Sequence, residues 1–317
     1  MQRIRAIDLF CGAGGSSWGA RDAGVDIVAG FDAWELAGKV YWDNFPEAAF
    51  HHKRLEYCTN RSIKSLGKID LILASPECTN HSPAKGNKPR CEKSRETAFQ
   101  VTRFARLLAP RWIVIENVVS MRNWLRYEEL LDELSSLGYN TKAQVLTASD
   151  FGVPQRRRRL FVVCDREQEP REVKPTSRKP PPAIRAVNMN GKYRYNPLVT
   201  TTRSKATLER ARRAMQELGR GQPFLIVYYG SDQAGGWQRL SEPLRTITTL
   251  DRFALVRPDR RQHVMRMLQV PELRKAMGMP TTFRFDHGTR RDRIRMLGNA
   301  VCSPVMKAVI REITTNA

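Results

Sequence analysis

The chain has 317 residues, 41% hydrophobic and 27% charged, enough apolar material for a sizeable core and against wholesale disorder. Its 54 Lys and Arg stand against 32 Asp and Glu, a net charge of +22 that points to a polyanionic partner. No apolar stretch approaches bilayer length, and the opening MQRIRAIDLF lacks the charged-then-apolar order of a signal peptide. Secretion and membrane insertion are therefore excluded, and the expected location is the cytoplasm, in association with the nucleoid if the source is prokaryotic. One large domain and one smaller one is the natural reading of the length. The six cysteines, at 11, 58, 78, 91, 164 and 302, form no C-x-x-C pair and have no His at zinc-ligand spacing, so no metal site is expected. Unpaired thiols suit a reducing compartment.

In chain order, residues 5–10 predict a strand, followed by a glycine loop and a helix through Arg21. Residues 26–31 predict a second strand and 33–42 its helix. The runs DLILA (70–74), WIVI (112–115) and LFVVC (160–164) have the length and composition of buried strands, with helical periodicity near 96–109 and 127–137. This alternation predicts an α/β fold, a doubly wound parallel sheet with helices on both faces. After Asp165 the character changes. Residues 166–182 (REQEPREVKPTSRKPPP) read as a linker, and 183–292 are irregular, with short strand candidates at 224–229 and 244–249. Residues 166–292 hold 26 Lys and Arg against 12 acids, most of the excess charge, which locates the anionic partner there or in a cleft beside it.

Four segments carry candidate chemistry. DLFCGAGGSSWG (8–19) sets a glycine turn between strand and helix, where the backbone can approach a ligand and the helix N-terminus offers free N–H groups. Asp32, 18 positions after Gly14, ends the second strand, where a carboxylate can hold ribose hydroxyls. Ser17 at the third glycine position of G-x-G-x-x-G favours a nucleoside without pyrophosphate, such as S-adenosylmethionine, over NAD. In ASPECTNHS (74–82), Cys78 lies just past the carboxyl end of its strand, a nucleophile candidate if its thiolate is stabilised. ENV (116–118) puts Glu116 at the exit of WIVI, on the same rim. In GVPQRRRRLFVV (152–163), strand periodicity turns Arg157 and Arg159 one way and Arg156 and Arg158 the other. RIRMLGNAVCSPV (293–305) reads as a glycine turn into a C-terminal helix with Asn299 at its entrance.

Taken in order, these pieces resemble the DNA (cytosine-5) methyltransferase family. Its first motif corresponds to DLFCGAGG, its Pro-x-Cys loop to SPEC, its ENV to ENV, its Gln-x-Arg-x-Arg to QRRRR and its last motif to GNAV. VYWDNF (40–45) and ELRKAMGMPTTF (272–283) are lesser echoes. Only about 166–262 is unaligned, where the family keeps its target-recognition region.

The resemblance implies a Rossmann-like catalytic domain (1–165 with 293–317) and a smaller basic target-recognition domain (166–292), with double-stranded DNA between them. It implies methyl transfer from S-adenosylmethionine to C5 of a flipped-out cytosine. Cys78 would add to C6, Glu116 would protonate the ring at N3, and Arg159 would hold O2. Arg157 would support the cysteine loop, and Asn117 would brace it. Cofactor contacts would come from Phe10, Gly12, Ala13, Gly14, Asp32, Pro76, Asn299 and Val301, with Ala33 or Trp34 meeting the adenine. A monomer is expected, with a cognate restriction endonuclease as a partner that acts without direct contact. An RNA cytosine-5 methyltransferase of the same fold, or a DNA-binding relative that transfers nothing, are the alternatives. The chain departs from the family's Pro-Pro-Cys-Gln in Glu77 and Thr79. A carboxylate beside the nucleophile disfavours the thiolate unless it points away or meets an arginine.

Overall fold

The computed structural model describes residues 3–78, 80–81, 89, 91–229, 235–260 and 262–315. The first half runs β1 (Arg5–Leu9), α1 (Gly15–Asp22), β2 (Asp26–Asp32), α2 (Glu35–Asn44), β3 (Ala49–His52), α3 (Asn60–Lys64) and β4 (Leu71–Ala74). It continues through α4 (Glu92–Arg95), α5 (Phe99–Leu108), β5 (Trp112–Asn117), α6 (Tyr127–Ser136), β6 (Asn140–Thr147), β7 (Gln155–Arg156) and β8 (Arg158–Asp165). Seven strands form one sheet in the order β3-β2-β1-β4-β5-β8-β6. The five from β3 to β5 are parallel, and β8 is antiparallel to both its neighbours. The winding direction reverses between β1 and β4, and in open sheets the crevice at such carboxyl ends takes the ligand.

The central strands are apolar on both faces because both are covered. Along β4, Leu71 and Leu73 enter a core shared with Ala37, Val40 and Tyr41 of α2, while Ile72 and Ala74 join Val101 and Phe104 of α5 and Leu130 and Leu134 of α6.

The remainder comprises β9 (Asn196–Pro197), α7 (Lys205–Leu218), β10 (Phe224–Val227), β11 (Trp237–Arg239), β12 (Leu244–Arg245), β13 (Phe253–Asp259), β14 (Gln262–Met267), α8 (Val270–Ala276), α9 (Arg290–Asn299) and α10 (Ser303–Thr314). Five of these strands make an antiparallel sheet, β11-β10-β13-β14-β9. Phe224 and Ile226 pack with Ala211 and Ala214 of α7, whereas Leu225 and Val227 belong to the same core as the first sheet. Helix α10 returns to lie against α1, where a Cβ on Gly19 would stand 2.4 Å from the Ser303 carbonyl oxygen. Only glycine permits that approach.

Several expectations change. The segment 244–249 is a strand only over Leu244–Arg245, paired with β7. Beyond it the backbone is held by side chains: the Thr246 carbonyl accepts from Tyr229 Oη, and the Ile247 N–H donates to Gln155 Oε1 at 2.8 Å. The presumed linker 166–182 is anchored at Val173, which is buried and whose N–H donates to Gln144 Oε1 at 2.8 Å. In the seven-stranded sheet two strands were not predicted, β3 and β6, both at its edges, and β7, β9, β11, β13 and β14 were not predicted either. Gly298 is not in a turn, and Asn299 does not open the last helix; it ends α9. A Cβ on Gly298 would lie 2.4 Å from Thr248 C and Thr249 N, so the glycine is there for close backbone approach. No helix among the described residues is long and apolar enough to cross a membrane.

Candidate active site

The loop leaving β1 is built on left-handed backbone. Phe10 (φ 59°), Gly12 (φ 52°) and Gly14 (φ 93°) alternate in it, and a phenylalanine in this region is strained unless its surroundings hold it. The Cys11 N–H donates to the Phe31 carbonyl (3.0 Å) and the Gly14 N–H to the Cys11 carbonyl (2.8 Å). Ala13 is buried within the turn. Glycine at the α1 N-cap has no side chain to cap with. Asp8 does that work from β1, its Oδ2 accepting from Ser17 N–H (3.1 Å) and Ser17 Oγ (2.6 Å). Fully buried, Asp8 has its pKa raised to about 7, and its Oδ1 has no hydrogen-bond partner among the described residues.

Asp32 at the end of β2 fastens two loops together. Its Oδ2 accepts from Gly12 N–H (2.8 Å) and its Oδ1 from Trp34 N–H (2.7 Å). Burial raises its carboxyl above the usual range, against those N–H donors. Ala33 is exposed, its carbonyl 3.1 Å from His52 Nε2, while the Trp34 ring lies under the Arg295 guanidinium at 4.5 Å. Val301 approaches from the other side, where a Cβ on Gly15 would be 2.4 Å from the Val301 carbonyl oxygen. Asn299, two residues earlier, is exposed. A Cβ on Gly12 would meet nothing within 4 Å, so the loop faces open space. Open space beside strained backbone, with the half-buried Asp32 carboxylate at its edge, fits a nucleoside carrying a cationic centre.

The second cluster lies at the exits of β4 and β5. Pro76 is buried, Cys78 half-buried and Glu77 exposed. Glu116 is fully buried in β5, and Arg159 Nε lies 3.2 Å from its Oε1, outside hydrogen-bonding alignment. Burial raises the Glu116 carboxyl, with Arg159 and then Arg157 opposing. Burial also raises the Cys78 thiol, Arg159 opposing it most, Glu116 adding to it and Arg157 opposing. Glu77 is turned towards solvent. Thr79 lies outside the described residues. Asn117 Nδ2 donates to the Pro76 carbonyl (3.0 Å), and Ser16 Oγ stands 3.5 Å from Ser75 Oγ, joining α1 to the cysteine loop.

In the arginine run, Arg157 is buried and Arg159 half-buried while Arg156 and Arg158 are exposed, the alternation of a strand. Arg157 acts elsewhere than expected. Among the described residues its guanidinium donates to the carbonyls of Ile247 (3.1 Å), Gly298 (2.9 Å) and Ala300 (3.0 Å), not to the cysteine loop. Burial lowers its pKa to about 10, with Arg159 adding to the shift. Gln155, fully buried, completes this junction by donating to the Ala276 carbonyl (3.1 Å).

Sequence reasoning assigned no role to Asp8 or Asn80. An acid inside an apolar strand was the available signal for Asp8; nothing local marked Asn80.

A glycine loop at the switch point of a parallel-dominated sheet, next to a thiol, a carboxyl and a guanidinium, defines a mixed α/β fold of the methyltransferase type. The Entamoeba histolytica methyltransferase EhMeth shares it, with a TM-score of 0.72 at 18% identity, covering 100% of this chain and 99% of that one. The family model for C-5 cytosine-specific DNA methylases matches residues 4–315, and the chain belongs to that family. Among similar proteins, the Type II methylase M.HgiEI of Herpetosiphon aurantiacus is 33% identical over 166 residues, 51% of this chain and 37% of that protein. The Type II methyltransferase M.HindV of Haemophilus influenzae is 30% identical over 178 residues, 56% of this chain and 58% of that protein. Each match spans less than two thirds of the relative's own length.

Proposed function

We propose that the protein is a DNA cytosine-5 methyltransferase. The observation that carries the reading is the convergence of Cys78, Glu116 and Arg159 on one rim, with Arg159 opposing the upward shift that burial gives both other groups. Cys78, with Arg159 favouring its thiolate, adds to C6 of the cytosine. Glu116 is held towards its protonated form by burial, which is what a donor to the ring N3 needs. As it gives up that proton, Arg159 takes the resulting carboxylate as its counter-ion while holding O2. Asn117 fixes the backbone of the cysteine loop through Pro76. Arg157 is a positioning residue that joins the first sheet to the loop after β12 and to the C-terminal end of α9. Loss of the C5 proton and elimination of the Cys78 thiolate end the cycle.

S-adenosylmethionine, when bound, supplies the methyl group as an electrophile. The Phe10–Gly14 loop, Asp32, Ala33 or Trp34, Pro76, Asn299 and Val301 would hold it. C6 is covered inside a duplex, so the cytosine must leave the stack, at a cost of a few kcal/mol. Residues 1–165 with 293–317 form the catalytic part in this reading, and 166–292, with the antiparallel sheet and most of the excess positive charge, the DNA-recognition part.

Mass spectrometry of nucleosides from DNA and RNA of cells expressing wild type, Cys78→Ser and Glu116→Gln tests this. We expect 5-methylcytosine in DNA with the wild type, none with Cys78→Ser, and a rate reduced about a hundredfold or more with Glu116→Gln. Methylation unchanged by Cys78→Ser would remove the cysteine from the mechanism. Methylation confined to RNA would reassign the substrate, and none in either pool would leave a DNA-binding relative.

A further inference from the structure

Cys78 is strung between two fixed points, each two residues away. Upstream, the Pro76 carbonyl is tied to Asn117. Downstream is Asn80, 4% exposed in a loop that is otherwise polar. Its Nδ2 donates to Ser94 Oγ (2.8 Å), and its Oδ1 accepts from the Cys91 N–H (2.9 Å). Its carbonyl accepts from Arg95 Nε (3.1 Å). His81 closes a turn by donating its N–H to the Cys78 carbonyl (3.0 Å), and its own carbonyl accepts from Ser120 Oγ (2.6 Å). The His81 ring packs edge-on to Trp124 at 5.3 Å.

A chain extends by about 3.5 Å per residue at most, so pinning both flanks confines the cysteine to a few ångströms. The Asn80 amide, itself buried, serves one donor and one acceptor, so removing it releases the loop from both Ser94 and the Cys91 backbone.

We propose that Asn80 is a positioning residue whose hydrogen bonds to Ser94 and to the Cys91 backbone hold the Cys78 sulfur in reach of Glu116 and Arg159. This device belongs to the chain's own loop, which departs from Pro-Pro-Cys-Gln. It rests on the catalytic reading of Cys78 given above.

The test compares wild type with Asn80→Ala, Ser94→Ala and the reciprocal exchange Asn80→Ser/Ser94→Asn, all in a Cys91→Ser background. Two quantities are read: steady-state methyl transfer, and iodoacetamide alkylation of Cys78 resolved by peptide mass spectrometry. Asn80→Ala should lower kcat about tenfold while KM for DNA changes less than about twofold. Alkylation of Cys78 should rise about threefold or more as the sulfur escapes its half-buried position. Ser94→Ala should reproduce part of both effects, and the exchange should recover most of the lost rate. Unchanged kcat and alkylation in Asn80→Ala would overturn the proposal. So would a loss that follows a lowered unfolding midpoint and is not recovered by the exchange. Should Asn80→Ala not fold, wild-type behaviour of Ser94→Ala would overturn it equally. If alkylation responds as expected but the wild type transfers no methyl group, the anchor stands and the catalytic reading fails.

Discussion

Replacing Gly298 with alanine pits two opposed effects against each other. Alanine favours an interior helical position over glycine by about 1 kcal/mol. Yet the added Cβ would lie 2.4 Å from Thr248 C and Thr249 N and 2.5 Å from the Thr248 carbonyl oxygen, all backbone atoms. Ordinary carbon contacts are about 3.5–4.0 Å, so helix or loop must retreat by about 1 Å. Overpacking of this kind costs about 1–3 kcal/mol. The loop cannot retreat alone, because the Ile247 N–H is bound to Gln155 and the Ile247 carbonyl to Arg157. Loosening either adds about 1–3 kcal/mol. The net expectation is destabilisation by about 1–5 kcal/mol, read by equilibrium urea unfolding, together with reduced methyl transfer because Arg157 is displaced. Gly221→Ala is the control: a Cβ there meets nothing within 4 Å, and stability should change by less than about 0.5 kcal/mol. A Gly298→Ala protein as stable as wild type would show that the loop after β12 yields freely, and the account of the junction would fall.

Two further outcomes follow from buried charge. Arg157→Leu leaves three carbonyls without their donor and should cost about 3–5 kcal/mol in urea unfolding, with Arg157→Lys intermediate; a lysine variant equal to wild type would refute the need for the forked guanidinium. Asp8 has a folded pKa raised from 3.8 to about 7, so between those values the folded state binds more protons than the unfolded state. Its contribution to stability therefore falls as pH rises through that window and levels off above it, by about 4 kcal/mol at full extent. Asp8→Asn should remove this part of the slope when unfolding is measured at pH 5 and pH 8, and identical slopes in the two proteins would sink the argument.

What was legible in the sequence is what depends on near neighbours. Leu71–Ala74 and Trp112–Asn117 are buried throughout, and continuous apolar runs announced them. The arginine alternation at 156–159 follows from strand periodicity alone. Polar edge strands lack that signature: β6, NTKAQVLT, is exposed or half-buried at most positions. The segment after Leu244 has strand-like residues, but Gln155 and Arg157, some ninety positions away, claim its backbone groups. Gly298 and Asn299 sit in a helix end whose purpose lies in Thr248, which no local pattern encodes. The placement of Asp8, Asn117 and Asn80 depends in the same way on partners in other elements.

The meeting of α1 with the start of α10 also ties distant parts of the sequence together. Gly15 and Gly19, near the start of the chain, take their close contacts from Val301 and Ser303, near its end. One wall of the crevice beside the glycine loop is therefore supplied by residues that follow the antiparallel sheet in the chain. Contacts of such long sequence separation are entropically slow to close. A variant lacking α10 would keep its antiparallel sheet and basic surface but lose the backbone that Gly19 packs against.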